Sequence, residues 1–219
     1  MCAVHVRPAA TKVTRRHLMT AAAVAGASMS IGKRFAWSAS ERSFDFTKPL
    51  DGWTTVSGKW AIEDVPGASQ AGRALVQRAT ENEFNVIVAP GGPYDNVDVS
   101  VRFKPMSGRE DASAGIVFRF SEGRYYVIRA NALEDNFTFY YYDRGRRQLS
   151  DASVKAPALG QWHKLRVTAV GDRIQGWLND QGLIDRRDSR FKSGRIGLWT
   201  KADSITAFDD LTVTPVNAG

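Results

Sequence analysis

The chain has 219 residues, of which 43% are hydrophobic and 24% are charged, a composition typical of one sizeable globular domain. Residues 1–40 contain six Lys and Arg residues and no Asp or Glu, so most of the net charge of +7 lies in that segment. The rest of the chain is nearly neutral, and we therefore expect no nucleic-acid partner. The single cysteine, Cys2, also lies there, which excludes disulfides and thiolate chemistry from the rest of the chain.

Residues 1–40 resemble a twin-arginine export signal. The pair Arg15 and Arg16 precedes a short apolar stretch, rich in Ala and Gly, at residues 20–32. A basic segment before a short apolar core is typical of a signal peptide. The stretch is shorter than the ~20 apolar residues that a membrane-spanning helix needs. We therefore expect a signal peptide, a mature chain without a membrane span, and a periplasmic or secreted protein.

Residues 41–219 are predicted to form one all-β domain. Short runs rich in Val, Ile, Phe, Tyr and Trp recur between Gly, Asp, Asn and Pro, which is typical of strands and turns. No window keeps the apolar spacing of a long helix. The predicted strands, in chain order, are 59–63, 74–78, 84–89, 97–104, 114–120, 125–130, 137–142, 162–170, 173–178, 195–200 and 207–214.

The number and arrangement of these strands favour a jelly-roll β-sandwich of two antiparallel sheets. About a dozen strands are too many for a seven-stranded immunoglobulin sandwich. Residues 162–168 and 173–179 flank a Gly171-Asp172 turn and continue into 183–185 as a meander. We expect the last strand to pair near the first, which lies around residues 44–46.

Two longer segments resemble a known bacterial family. They are residues 125–136 (YYVIRANALEDN) and 197–204 (GLWTKADS), accompanied by residues 208–211 (FDDL). Together they are similar to the 3-keto-disaccharide hydrolase-like family of the concanavalin A-like lectin/glucanase superfamily, over about residues 44–214. The resemblance implies a concanavalin A-like, laminin-G-like jelly roll and a saccharide partner. It also implies hydrolysis of keto-sugar glycosides in some members.

The sequence departs from the glucanase branch of that superfamily. Retaining enzymes of that branch carry a Glu-x-Asp-x-x-Glu run, which supplies acid and nucleophile together. The nearest run here, at residues 81–83, has two acids, and we interpret it as a solvated edge. The leading hypothesis is an exported protein that binds a saccharide on a concave sheet, with hydrolysis of 3-keto-glycosides as its candidate activity. A non-catalytic carbohydrate-binding module and an envelope interaction module stay open as alternatives.

Three residues are candidates for the chemistry of a keto-sugar. Such a reaction needs a base for the proton beside the carbonyl and an acid for the leaving oxygen. Glu134 and Asp203 are the candidate carboxylates. Lys201 is a candidate for stabilising developing negative charge. Together with Trp199, Lys201 and Asp203 fall at every second position and share one face if the strand extends that far.

Six residues are candidates for binding the saccharide. Two of them, Arg119 and Arg129, lie inside apolar strands, where a guanidinium must be paired or must face a wet groove. The alternative is that these two arginines form ion pairs on the sheet surface. The other four are polar residues after a strand, which also suit a loop with Asx turns, and aromatic residues suited to sugar stacking or to the core: Asn131, Asn136, Tyr141 and Trp199.

One carboxylate pair is a candidate for a structural calcium ion. Asp209 and Asp210 precede the last strand, and carboxylate oxygens are ligands that calcium prefers. No contiguous calcium-loop motif occurs in the sequence. We therefore name Asp209 as the candidate ligand, indicate no other cofactor, and predict no particular oligomeric state.

Overall fold

The structure, a computed structural model, describes residues 40–217, so the predicted signal peptide lies outside the described residues except for Ser40. It confirms the all-β prediction and the jelly-roll sandwich of two antiparallel sheets. The strands are β1 (Arg42–Phe44), β2 (Thr54–Ser57), β3 (Trp60–Asp64), β4 (Arg73–Gln77), β5 (Phe84–Val88), β6 (Val97–Ser107), β7 (Ser113–Ser121), β8 (Arg124–Asn131), β9 (Glu134–Tyr142), β10 (Arg146–Ser153), β11 (His163–Val170), β12 (Arg173–Leu178), β13 (Gln181–Arg187), β14 (Arg195–Lys201) and β15 (Ile205–Pro215).

One sheet has eight strands and the other has seven. The eight-stranded sheet has the order β13-β12-β11-β6-β15-β4-β3, with β1 also paired to β15. The seven-stranded sheet has the order β10-β9-β8-β7-β14-β5-β2. The predicted meander is β11-β12-β13, and the first and last strands pair as expected, with Phe44 opposite Leu211.

The strands that the sequence pattern missed or only touched lie at sheet edges or are short. The clearest case is β10, which pairs with β9 alone and whose residues are mostly polar, with only Ser150 buried. An edge strand packs little side-chain area, so its sequence need not alternate between apolar and polar residues. β2 pairs with β5 alone, and β13 with β12 alone. The strong alternation signal therefore belongs to the central strands.

The core lies between the two sheets and is built by alternation along the strands. On β6, Val97, Val99, Val101 and Phe103 are buried, while the residues between them are partly exposed. Each such side chain contributes ~1.5–3 kcal/mol when buried. The seven-stranded sheet supplies Ile116, Phe118, Tyr126, Ile128, Phe137, Phe139 and Leu198 to the same core.

The aromatic run at the end of β9 is divided between the two faces of its sheet. Phe137, Phe139 and Tyr141 point toward the core, whereas Tyr140 and Tyr142 pack on the opposite face. This division settles which half of the run is available outside the core. No helix in the part of the chain that the structure describes is long and apolar enough to cross a bilayer.

We predict that the Phe208→Ala variant loses about 3–5 kcal/mol of its free energy of unfolding. Phe208 is fully buried between the sheets, and its ring centroid lies 5.9 Å from that of Trp60. Chemical denaturation followed by tryptophan fluorescence measures the change. The control is Leu133→Ala, since Leu133 is 43% exposed and its loss costs within about 0.5 kcal/mol. Equal losses in the two variants would contradict a core placed between the sheets.

Candidate functional site

The outward face of the seven-stranded sheet carries an aromatic and charged cluster. We call it the concave face, because the sheet curves toward this side, as the ring contacts described below show. Because alternate residues of a strand point to opposite faces, its side chains are those that do not enter the core. They are Phe84, Val86, Val88, Val117, Phe120, Tyr125, Val127, Arg129, Tyr140, Tyr142, Arg146, Trp199 and Lys201.

The curvature of this face follows from its ring contacts. Strands β5 and β9 are separated by β14, β7 and β8, which amounts to roughly 19 Å along a flat sheet. The ring centroids of Phe84 on β5 and Tyr142 on β9 are nevertheless only 5.8 Å apart. Arg146 of β10 reaches within 5.5 Å of the Phe84 centroid. The sheet therefore curves inward, and side chains from its two sides meet over its centre.

Trp199 forms the floor of the concave face. A Cβ atom at Gly115 would lie 3.1 Å from Cε3 of Trp199 and 2.9 Å from Cγ2 of Val127, so glycine lets the indole lie against the sheet. Phe84 stacks on Trp199 with centroids 5.5 Å apart. Trp199 is only 1% exposed, so the aromatic surface at the mouth comes from the partly exposed Phe84 and Tyr142.

The central polar contact of the face joins Arg129 and Glu134. Nη2 of Arg129 donates to Oε2 of Glu134 at 2.7 Å and to the hydroxyl of Tyr140 at 3.3 Å. Asn136 Nδ2 also donates to Glu134 Oε2 at 3.1 Å. Arg129 is 3% exposed, and its Nε and Nη1 have no hydrogen-bond partner among residues 40–217. The guanidinium is thus only partly satisfied by the protein.

The environment of Glu134 keeps this carboxylate ionised. Burial alone would raise its pKa, but the hydrogen bond and charge of Arg129, the Asn136 amide and the charge of Lys201 outweigh burial. The pKa of Glu134 is therefore lowered. At neutral pH the ionised side chain accepts hydrogen bonds or a proton, which favours the role of base over that of acid.

Lys201 belongs to the same row of the sheet as Glu134. Glu134 is opposite Asn131, Asn131 is opposite Ser113, and the backbone N–H of Lys201 donates to Oγ of Ser113 at 3.1 Å. The Lys201 ammonium donates to Oδ2 of Asp111 at 2.9 Å. Asp111 is fully buried, so Lys201 is the cation that balances its charge. Two predicted catalytic residues, Glu134 and Lys201, are therefore brought together.

Asp203, the other predicted catalytic carboxylate, holds a loop. Its oxygens accept the backbone N–H groups of Arg109 at 2.7 Å, Glu110 at 3.0 Å and Asp111 at 2.9 Å. Burial would raise its pKa, but these three hydrogen bonds outweigh burial and lower it. Asp203 thus fixes the loop that carries Asp111, and this geometry gives no support to an acid or base role.

Arg119 differs from its expected place on the concave face. A β-bulge between Phe118 and Ser121, with Arg119 at a φ of 52°, turns its side chain away from that face. Its guanidinium donates to three carbonyl oxygens from separate loops, those of Phe191 at 2.7 Å, Asp95 at 3.1 Å and Gly171 at 2.6 Å. Arg119 therefore links three loops to one another through these hydrogen bonds.

Tyr141 also lies away from the concave face, because it occupies the core-facing register of β9. Arg190 lies 4.6 Å from its ring centroid and Phe191 contacts its edge. The tyrosines of β9 on the concave face are Tyr140 and Tyr142, so the structure places Tyr141 apart from the other candidate residues of that face. The run itself could not have decided this, since both halves are aromatic.

Asn131 shapes the turn that precedes Glu134. Its Oδ1 accepts the backbone N–H groups of Ala112 at 3.1 Å and Leu133 at 3.0 Å, as an Asx turn does. The side chain is fully buried, and its Nδ2 has no partner among the residues that the structure describes. Asn131 therefore positions the β8–β9 turn beneath Glu134, whereas Asn136 contacts Glu134 directly.

Asp209 has a full set of protein partners. Its Oδ2 accepts the N–H of Ser69 at 2.7 Å, the Ser69 hydroxyl at 2.6 Å and Nη1 of Arg102 at 3.3 Å. Within residues 40–217 no group of three or more His, Cys, Asp or Glu side chains is arranged to hold a metal ion. The Arg102 guanidinium already balances the charge of Asp209, so these contacts give no support to the calcium prediction, which stays a prediction.

Three residues of the site were not selected from the sequence. Phe84 shares its strand face with Val86 and Val88, and that alternation was a usable signal. Asp111 lies in a segment without strand pattern, and only the fold brings it to Lys201. Arg146 begins an edge strand whose polar sequence gave no signal.

Comparisons with known proteins point to one family and one fold. The sequence profile of a family described as 3-keto-alpha-glucoside-1,2-lyase-like domain matches residues 40–214. No curated protein sequence matches the chain. The structure of the carbohydrate binding module CBM66 from Bacillus subtilis is 22% identical, with a TM-score of 0.65 over 75% of this chain and 96% of that one.

Two further solved structures share the fold. A protein of unknown function with a galectin-like fold, from Bacillus subtilis, is 12% identical, with a TM-score of 0.61 over 79% of this chain and 94% of that one. The Crh5 transglycosylase in complex with NAG is 14% identical, with a TM-score of 0.57 over 83% of this chain and 86% of that one. At such identities the likeness establishes the jelly-roll sandwich and nothing finer.

We predict that the Asp203→Asn variant is destabilised by about 1.5–3 kcal/mol at pH 6, the usual range for hydrogen bonds to a charged group. Because the folded pKa of Asp203 is lowered, this stability is present above the unfolded pKa of about 3.9 and is lost as pH falls through the folded pKa. Urea denaturation at pH 6 and pH 3 measures the free energy of unfolding.

The matched control is Asp64→Asn, which alters an exposed carboxylate at the end of β3 and leaves stability nearly unchanged. The difference between wild type and Asp203→Asn shrinks at pH 3, because this pH lies below the unfolded pKa and part of the stability that the ionised carboxylate contributes is lost there. A difference that stays constant across the two pH values would contradict the loop-holding role of an ionised Asp203.

Proposed function

The chain belongs to the 3-keto-alpha-glucoside-1,2-lyase-like domain family, and from this premise we propose that its concave face binds a saccharide at Arg129 and Glu134. The observation that carries the proposal is the partly satisfied Arg129 guanidinium, buried with Nε and Nη1 unpaired among residues 40–217. A buried donor without an acceptor costs about 1–3 kcal/mol. Hydroxyl or carbonyl oxygens of a sugar, admitted by a small shift of the neighbouring side chains, recover that cost.

The groups around Arg129 complement the rest of a sugar. A sugar hydroxyl both donates and accepts, and Glu134 accepts while Asn136 does both. The partly exposed rings of Phe84 and Tyr142 offer apolar surface for the C–H face of a pyranose ring. Mixed aromatic and polar lining of this kind is typical of small-molecule sites.

The same residues support elimination from a 3-keto-glycoside. In this reaction Glu134, ionised at neutral pH, takes the proton from C2, and the C–H electrons move toward the C3 carbonyl to give an enolate. Arg129 or Lys201 stabilises the enolate oxygen. The enolate then re-forms the carbonyl as a C1–C2 double bond appears and the C1–O bond breaks. The leaving oxygen takes its proton from Lys201 or water, and later addition of water to the double bond completes hydrolysis.

A non-catalytic saccharide-binding module is the second candidate. It is favoured by the lowered pKa of Glu134, because a carboxylate tied to Arg129 and Asn136 is a weak base. Both candidates share the same binding residues. They differ only in what Glu134 does once the sugar is bound, so one pair of measurements separates them.

We predict that the Glu134→Gln variant loses at least about 100-fold in turnover of a methyl 3-keto-α-glucoside, the usual contribution of a general base. Its affinity for the sugar falls by a smaller factor, because the amide still accepts hydrogen bonds. Product formation followed by NMR gives turnover, and calorimetry gives affinity. The control is Glu122→Gln, whose exposed carboxylate lies at the other end of β8 and leaves both quantities unchanged.

Further outcomes decide between the two candidates. Binding without turnover in the wild type supports the binding module. Turnover that survives Glu134→Gln removes this residue from the mechanism. The Arg129→Lys variant keeps the charge but loses the planar fork, and we expect about 10-fold weaker binding in either case. Absence of both binding and turnover in the folded wild type would overturn the proposal.

We also propose that the protein acts outside the cytoplasm after export by the twin-arginine route. The support is the sequence of residues 1–40, where Arg15 and Arg16 precede a short apolar stretch. We predict that changing both arginines to Lys leaves the protein in the cytoplasm, measured by cell fractionation. Changing Lys33 and Arg34 to Gln serves as the control, since this basic pair lies after the apolar stretch. Equal export of all forms would contradict the route.

A further inference from the structure

Arg146 is a cation on the concave face without an ion-pair partner among residues 40–217. It begins β10, and its guanidinium carbon lies 4.6 Å from the ring centroid of Tyr140 and 5.5 Å from that of Phe84. Nη1 of Arg146 is buried and has no hydrogen-bond partner in the part of the chain that the structure describes. Two aromatic rings thus hold the cation in place without neutralising it.

The other cations of the site are balanced by carboxylates. Arg129 pairs with Glu134 at 2.7 Å, and Lys201 pairs with Asp111 at 2.9 Å. For Arg146, no carboxylate of residues 40–217 lies within ion-pairing distance. Residues 1–40 contain no Asp or Glu side chain that could neutralise it. Among the charged side chains of the concave face, Arg146 is therefore the one without an ion-pair partner in residues 40–217.

The position of Arg146 links this charge to the proposed saccharide site. Arg129 lies 5.8 Å from the centroid of the same Tyr140 ring that Arg146 contacts. A ligand held by Arg129 therefore comes within the span of one disaccharide of Arg146. Aromatic contacts displace water from a guanidinium, and an unpaired guanidinium binds oxyanions through parallel N–H donors.

We propose that the saccharide bound on the concave face carries an anionic group, a carboxylate, phosphate or sulfate, which pairs with Arg146. This inference rests on the proposed saccharide-binding function and names the class of saccharide. Arg129 and Glu134 bind the hydroxyl and carbonyl oxygens of the sugar, and Arg146 selects its charge. Charge selection at one residue is separable from binding at the others.

The test compares charged and neutral sugars by calorimetry. The probes are methyl glucuronide, glucose 6-phosphate and glucose 6-sulfate, each set against methyl glucoside. In the wild type we expect at least one anionic probe to bind about 10-fold or more tightly than the neutral one, the effect of a charge-assisted contact. The arms show which oxyanion Arg146 takes.

Variants assign the preference to one residue. Arg146→Gln abolishes the preference: the ratio of the affinities for the anionic and the neutral sugar falls to about one, whatever the lost ring contacts do to both affinities. Arg147→Gln is the matched control: it removes the same charge from an exposed neighbour on the same strand, and it keeps the preference. Arg146→Lys, which keeps the charge, retains part of the preference and guards against misfolding of the Gln variant.

The possible results distinguish the anionic preference from saccharide binding itself. Equal or tighter binding of methyl glucoside in the wild type overturns the anionic preference and leaves saccharide binding intact. Loss of the preference in Arg147→Gln as well as in Arg146→Gln also overturns it, because general surface charge then explains the effect. Absence of binding by every probe, including the neutral one, counts against the proposed function itself.

Discussion

In the seven-stranded sheet each strand sends alternate side chains to the core and to the concave face, and only the core face has another sheet to pack against. The apolar groups of the concave face must therefore pack against one another. The sheet allows this by curving until Phe84 and Tyr142 meet, which buries Trp199 and encloses Arg129. The charged residues of the site are ordered by that curvature.

Polar contacts then give the site its rigidity. Asp203 accepts three backbone N–H groups and fixes the loop that carries Asp111, and Asp111 in turn holds the Lys201 ammonium. Glu134 is held by Arg129 and by its own neighbour Asn136. A charge that is fixed before a ligand arrives loses little conformational entropy on binding. The residues that position the site are thus as important to it as those that face the ligand.

The sequence predicted the fold well, because central strands such as β6 alternate strictly and two sheets bury that pattern. It selected Glu134, Lys201 and Arg129 from their residue types and their positions in or after strands, but which of them lie together depends on the curvature of the sheet. It misplaced Arg119 and Tyr141, since a bulge in β7 and the choice of face on β9 are set by tertiary packing. Asp111 and Arg146 left no local signal, because their significance lies in long-range partners that alternation does not encode.

The glycine beneath the indole has a consequence for attempts to redesign the molecule. A Cβ atom at position 115 would lie 2.9 Å from Cγ2 of Val127 and 3.1 Å from Cε3 of Trp199, so a larger residue there requires these neighbours to shift. New specificities are therefore better engineered at the mouth of the concave face, where Phe84 and Tyr142 are partly exposed. Added volume at position 115 would disturb the Trp199 floor. In directed evolution of this scaffold we expect the productive substitutions at the mouth, with Gly115 and Trp199 of the floor unchanged.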